Sequence, residues 1–183
     1  LQEVKKGKFR LDMSRLSQIA PASRYVIGTV DMKQTGKAYV ILQEPGEDIY
    51  ISPTHTGKAL HEDTVKVFLF PRRPGRKPEG QIVEVLKRAK THFVGKLQLS
   101  DKYAFVIPDN PSIAVDFFIP REYLNKAKNG EKVVVEFIEW PEYARNPFGR
   151  IVKVLGRPGE HQVEMQSILV EWDFPIGFSR EAE

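Results

Sequence analysis

The 183-residue chain predicts an all-β protein: two tandem five-stranded barrels with a short lead-in before them and an amphipathic helix after them. Three observations carry that prediction. Most of the chain is a duplication, each copy is a series of short strand-like runs, and helical periodicity is nearly absent inside the copies.

From Gly28 the first copy reads GTVDMKQTGKAYVI, then DIYI (Asp48 to Ile51), ALHEDTVKV (Ala59 to Val67) and GQIVEVL (Gly80 to Leu86). The second keeps the order: GKLQLSDKYAFVI from Gly95, DFFI (Asp116 to Ile119), AKNGEKVVV (Ala127 to Val135) and GRIVKVL (Gly149 to Leu155). The offset drifts only from about 67 to about 69 residues, through loop changes. Gly, Pro, Asp and Asn punctuate the runs at the spacing of an all-β barrel or sandwich. A five-strand unit of roughly 65 to 70 residues has the size of a small closed Greek-key barrel, and closure removes exposed edges. The predicted division is a lead-in over 1–22, a first barrel over 23–89, a second over 90–158, and a helix with linker over 159–183. The join LKRAKTHFVG is short and holds no Gly/Ser linker, so a restricted mutual orientation is expected.

At the ends, KKGKFRL (Lys5 to Leu11) reads as a turn followed by one strand, and Met13, Leu16 and Ile19 at three-residue spacing as a short helical lead-in. Met165, Ile168, Leu169 and Trp172 follow the i, i+3, i+4, i+7 pattern of an amphipathic helix that Phe174 and Pro175 end. That stripe needs a partner, either the second barrel or a domain outside the chain. With a first residue other than Met, the ends are read as those of a fragment.

Composition is that of an ordinary soluble globular chain, 41% hydrophobic and 28% charged. No stretch approaches the roughly 20 apolar residues of a spanning helix, and LQEVKKGKFR lacks a signal peptide's apolar centre. A cytoplasmic protein with no membrane partner is expected. Absence of cysteine excludes disulfides and thiolate metal sites, and His55, His61, His92 and His161 are too scattered for a local metal motif. The net charge of +4 leans toward an anionic partner.

Function is carried by aromatic strands. In KYAFVIPD (Lys102 to Asp109), Tyr103 and Phe105 are two apart and share one face of a strand. In DFFI, alternation turns Phe117 and Ile119 inward and Phe118 outward with Asp116. The first copy exposes Tyr39 and Tyr50, with Lys37 where the second has Tyr103. Such platforms stack successive bases of single-stranded nucleic acid for about 1 to 3 kcal/mol each while flanking Lys or Arg track phosphates, a role that falls to Lys37 and Lys102. The loop PRRPGRKP (Pro71 to Pro78) adds Arg72, Arg73, Arg76 and Lys77 without an acid, stiffened by prolines. Its counterpart, WPEYARNPFG, is nearly neutral and adds Trp140, Tyr143 and Phe148 at the rim. The rival account packs these rings under loops, between barrels or against a protein partner.

No catalytic constellation is found: there is no GxxxxGK[ST], HExxH or nucleophile elbow, and Asp101, Asp109 and Asp116 read as solvated loop acids rather than an Mg²⁺ site.

GKAYVI with DIYI, and DKYAFVI with DFFI, resemble the paired aromatic motifs of cold-shock domains, which are oligonucleotide-binding (OB-fold) barrels. The tandem joined through GQIVEVLKRAKTHFVGKL, followed by VEFIEWP, GRIVKVLGRPG and VEMQSILVEWDFP, resembles the N-terminal region of bacterial exoribonuclease R, of the ribonuclease II family, over roughly Ser23 to Pro175. KKGKFRL then corresponds to the last wing of a helix-turn-helix domain. The resemblance implies cold-shock domains that guide single-stranded RNA toward an Mg²⁺-dependent 3′-to-5′ exoribonuclease domain, whose acidic motif has no counterpart in this sequence. It implies no cofactor in this chain and a C-terminal nuclease domain of the same polypeptide as partner; a monomer is expected. Lys37 departs from the family pattern, which has an aromatic there. Alternatives are a free-standing RNA chaperone or translation-associated binder, and a protein-interaction module.

Overall fold

The computed structural model describes residues 24–173 together with two short strands upstream, β1 (Gln2–Lys5) and β2 (Lys8–Arg10). Those two pair antiparallel, so the strand expected within KKGKFRL has a partner before it. Met13, Leu16 and Ile19 lie outside the described residues.

Alternation of small or β-branched inward residues with outward polar or aromatic ones makes the strands of the first barrel: β3 (Tyr25–Met32), β4 (Ala38–Leu42), β5 (Ile49–Ile51), β6 (Thr64–Leu69) and β7 (Glu79–Lys87). They close in the order β3-β4-β5-β7-β6. The second barrel repeats this with β8 (His92–Leu99), β9 (Ala104–Pro108), β10 (Phe117–Phe118), β11 (Lys132–Glu139) and β12 (Phe148–Gly156), in the order β10-β12-β11-β8-β9. Each barrel is closed by one parallel pair, β5 with β7 and β10 with β12. Closure leaves no free edge strand in either barrel.

Two glycines recur in both copies because the sheet bends too tightly for a side chain. A Cβ on Gly28 would lie 2.5 Å from the carbonyl oxygen of Ile41, and one on Gly80 would lie 2.6 Å from that of Phe68. In the second barrel a Cβ on Gly95 would lie 2.4 Å from the Ile107 carbonyl oxygen and one on Gly149 2.3 Å from Cγ1 of Val135.

Val30, Val40, Ile51, Val65 and Val67 fill the first barrel; Leu97, Val106, Phe117, Ile119, Val133 and Val135 fill the second. One residue crosses over: Leu60, between β5 and β6, packs in the core of the second barrel. Beside it the Asp63 carboxylate, 1% exposed, accepts from the backbone N–H of Leu60 (2.8 Å) and Ala89 (3.0 Å) and from the Arg88 guanidinium (2.5 Å). Burial pushes the Asp63 carboxyl up from its ordinary range, while those N–H groups and Arg88 hold it down. Arg88 also stacks 4.5 Å above the Phe137 ring of the second barrel, and Lys58 pairs with Glu142 at 2.8 Å. The restricted join read from the sequence is thus a packed joint.

The helix α1 (His161–Glu171) differs from expectation in its face. It buries Val163, Ser167 and Val170, with Val170 against Val94 and Val134. The expected stripe points to solvent: Ile168 is 58% and Trp172 74% exposed, and Met165 and Leu169 are also exposed. Val152 and Leu155 complete the apolar wall beside Val94 and Val134, and the narrower stripe of the helix is the one that seats on it. Ser167 is accommodated because its hydroxyl donates to the Val163 carbonyl at 2.8 Å. Glu164 anchors the first turn on Lys132 at 2.9 Å, and Lys132 and the Gly159 N–H hold that carboxyl below its ordinary range. Among the described residues no helix is long and apolar enough to cross a membrane.

Candidate nucleic-acid interface

On the second barrel the outward rings form a single row. Ala104 and Val106 are buried, so Phe105 between them faces out, and Tyr103 precedes it in a turn closed by Ser100. Phe105 pairs across the ladder with Phe118, while Phe117 beside it is fully buried. Ring centroids step from Tyr103 to Phe105 by 5.5 Å and from Phe105 to Phe118 by 5.6 Å. The three rings named from the sequence therefore lie together, with the exposed Lys102 next to Tyr103.

The row has a fourth member. Phe148 opens β12, pairs in parallel with Phe118 and lies 5.1 Å from it. From the sequence it was placed only at the rim, because a parallel pairing between distant strands leaves no local signal. The one usable clue was the repeat register that aligns Gly149 with Gly80. Of the other rim aromatics, Tyr143 is 84% exposed, whereas Trp140 turns inward, donating from Nε1 to the Ala144 carbonyl at 3.0 Å and packing against the core. Asn146 donates to the Asp116 carbonyl at 3.0 Å, which fastens this loop beside the row. Burial raises the Asp116 carboxyl above its ordinary range.

The first barrel carries the same positions with different chemistry. Tyr39 and Tyr50 face each other across β4 and β5 at 5.7 Å. Lys37 occupies the place of Tyr103, and Glu79, opposite Tyr50, the place of Phe148. Lys77 reaches back over Tyr39, its Nζ 5.6 Å from the ring centroid. Together with Phe70, Pro71 and Glu79, the cations Arg72, Arg73, Arg76 and Lys77 line a cavity of about 330 Å³. Arg72 also pairs with Glu47 at 2.7 Å, a solvent-exposed bond that exchanges readily for a stronger anion. The structure thus brings Tyr103, Phe105 and Phe118 together on one surface, Tyr39 and Tyr50 on another, and Arg72, Arg73, Arg76 and Lys77 in one basic loop, with Lys37 and Lys102 preceding the two ring strands.

Among the described residues no group of His, Asp and Glu could hold a metal ion. Asp109, one of the acids weighed for Mg²⁺, is bound by Lys132 at 2.9 Å.

Comparison with known proteins matches residues 28–85 to the Ribonuclease B OB domain and residues 105–179 to the Cold shock domain. Over these matched stretches the chain is a tandem of OB-type cold-shock domains, homologous to that region of ribonuclease R. A curated relative, ribonuclease R of Thermotoga maritima, is 32% identical over 149 residues, covering 81% of this chain and 21% of its own length. The chain thus spans about a fifth of the length of such relatives. Two solved structures share the fold. Mycoplasma genitalium RNase R, determined in complex with ribose-methylated single-stranded RNA, superposes with a TM-score of 0.71 at 15% identity, over 80% of this chain and 24% of that one. Yeast Ssd1, a pseudonuclease, superposes with a TM-score of 0.70 at 22% identity, over 88% of this chain and 26% of that one.

Proposed function

We propose that this chain binds single-stranded RNA and guides it toward the nuclease domain of a ribonuclease R-type 3′-to-5′ exoribonuclease. Within that reading, 23–89 and 90–158 are the two cold-shock domains, 1–22 leads in, and 159–183 leads toward the nuclease domain. The observation that carries it is the row Tyr103, Phe105, Phe118 and Phe148, four rings spaced 5.1 to 5.6 Å apart on one outward surface. Closing the barrel requires only the inward apolar residues; a continuous outward row of rings adds a surface on which successive unpaired bases stack. Tyr39 and Tyr50 supply a shorter platform, and Lys37, Lys102, Arg72, Arg73, Arg76 and Lys77 contact phosphates.

Cleavage, with the Mg²⁺ it uses, belongs in this proposal to the nuclease domain of the longer protein, which works as a cytoplasmic monomer. The presence of the same fold in a pseudonuclease is consistent with binding separated from cleavage. Fluorescence anisotropy with a labelled oligouridylate and with an RNA duplex of equal length tests the reading. Tighter binding of the single strand, weakening as salt rises, is expected. Equal affinity for both, or binding to neither, refutes it.

A further inference from the structure

The rings of the first barrel continue beyond Tyr39 and Tyr50. Following the hydrogen-bonded strand order, β4 carries Tyr39, β5 carries Tyr50, and Tyr50 stands opposite Glu79 on β7. The Glu79 carbonyl accepts the N–H of Phe70 at 2.9 Å, which places Phe70 on the far side of that one strand. From Phe70 the ring line runs 6.2 Å to Phe68 on β6 and 5.5 Å on to Tyr25, which pairs with Phe68 from β3. Lys66 lies 4.8 Å over the Tyr25 ring, and Tyr25 is 47% exposed. His55, held by Ser52 Oγ at 2.9 Å, buttresses Phe70 from beside, 5.2 Å between ring centroids. The basic cavity sits at the crossing between the two arcs: Phe70 and Glu79 line it, and Lys77 joins it to Tyr39.

The duplication supplies a control for whether the fold demands these aromatics. Repeat alignment puts His92, Glu136 and Ile138 of the second barrel where the first has Tyr25, Phe68 and Phe70, and His92 pairs with Glu136 as Tyr25 does with Phe68. The same closed barrel therefore forms without Phe and Tyr at these places. Each copy extends its aromatic surface along a different arc, the second through Phe148 and the first past Glu79 to Phe70, Phe68 and Tyr25, with the arginine-rich loop bridging the acid.

We propose that single-stranded RNA bound on Tyr39 and Tyr50 continues round the first barrel, its phosphates crossing in the basic cavity and its further bases stacking on Phe70, Phe68 and Tyr25. This rests on the RNA-binding reading above. The alternation of cations with rings along the path favours a polyanion carrying flat bases over a protein partner, which would gain little from four clustered cations at the crossing.

The test is the dependence of affinity on length. Oligouridylates from roughly 4 to 16 nucleotides, the range of OB-fold site sizes, are titrated into the 183-residue chain and into the double variant Tyr25→His, Phe70→Ile. The variant installs the residues that the second copy carries, so the fold tolerates them, and a thermal unfolding curve verifies it. Expected is an affinity that keeps rising with length in the parent chain and is about tenfold weaker for long oligomers in the variant, with short ones unchanged. An equal loss at every length, or none at any, overturns the proposed path, as does a parent affinity that stops rising once the shortest platform is filled, the result expected of a protein-docking surface. A parent chain that binds no oligomer removes the RNA-binding reading itself, and that outcome is distinct from the other three.

Discussion

Replacing Tyr103 by alanine separates stacking from folding more cleanly than any other change in the row. The ring is 50% exposed and, among the described residues, touches one other ring, Phe105. One aromatic pair contributes about 0.5 to 1.5 kcal/mol, so the variant loses about 1 kcal/mol of stability. The turn that presents residue 103 survives, because Ser100 bonds to its backbone N–H and carbonyl and not to the ring. A stacked base is worth about 1 to 3 kcal/mol, which corresponds to an affinity loss of roughly 5- to 150-fold for single-stranded RNA. Phe118 is the instructive contrast. It touches Phe105 and Phe148, so its replacement removes two pairs and costs about 1 to 3 kcal/mol of stability for a comparable loss of binding. The ratio of binding loss to stability loss should therefore be larger at Tyr103. Anisotropy titrations at several salt concentrations, paired with urea denaturation, measure both quantities. Because Tyr103 carries no charge, the salt slope should not move. Affinity within twofold of the parent, in a variant shown to be folded, refutes stacking on this row.

Two further predictions concern charge. Glutamine at Arg72, Arg73, Arg76 and Lys77 together should flatten the dependence of log affinity on log salt by about 0.7 for each phosphate that is no longer neutralised, and an unchanged slope would show the loop to be merely solvated. At the joint, Asp63→Ala leaves Arg88 and the N–H groups of Leu60 and Ala89 without their buried acceptor. Removing one partner of such a pair costs about 3 to 5 kcal/mol, read as a lowered urea midpoint; a loss under about 1 kcal/mol would mean that water replaces the carboxylate freely.

Much of the candidate site was legible in the sequence because its signals are local. The outward direction of Phe105 and the inward direction of Phe117 both follow from alternation along a single strand, and the structure places Phe105 at the surface and Phe117 fully buried. The helix α1 shows where such reasoning stops. Periodicity selected the bulkiest stripe, Met165 to Trp172, but the apolar wall formed by Val94, Val134, Val152 and Leu155 accepts the narrower Val163, Ser167 and Val170 face. The place of Phe148 in the row and the whole Tyr25 arc were missed for a related reason: their partners are set by which strands lie side by side after closure, a property of no single segment.

By itself, then, the sequence determined the duplication, five strands in each copy and their order along the chain, the inward and outward faces of the aromatic strands, and the presence of rings beside cations. Each of these follows from a two-residue period or from comparison of one copy with the other. Tertiary structure decided which rings become neighbours, which face of the helix is covered, and how Leu60, Asp63 and Arg88 lock one barrel to the next. The parallel pairs that close each barrel bring together residues some thirty positions apart, Phe118 with Phe148 and Tyr50 with Glu79, and that closure settles whether an aromatic row ends or continues.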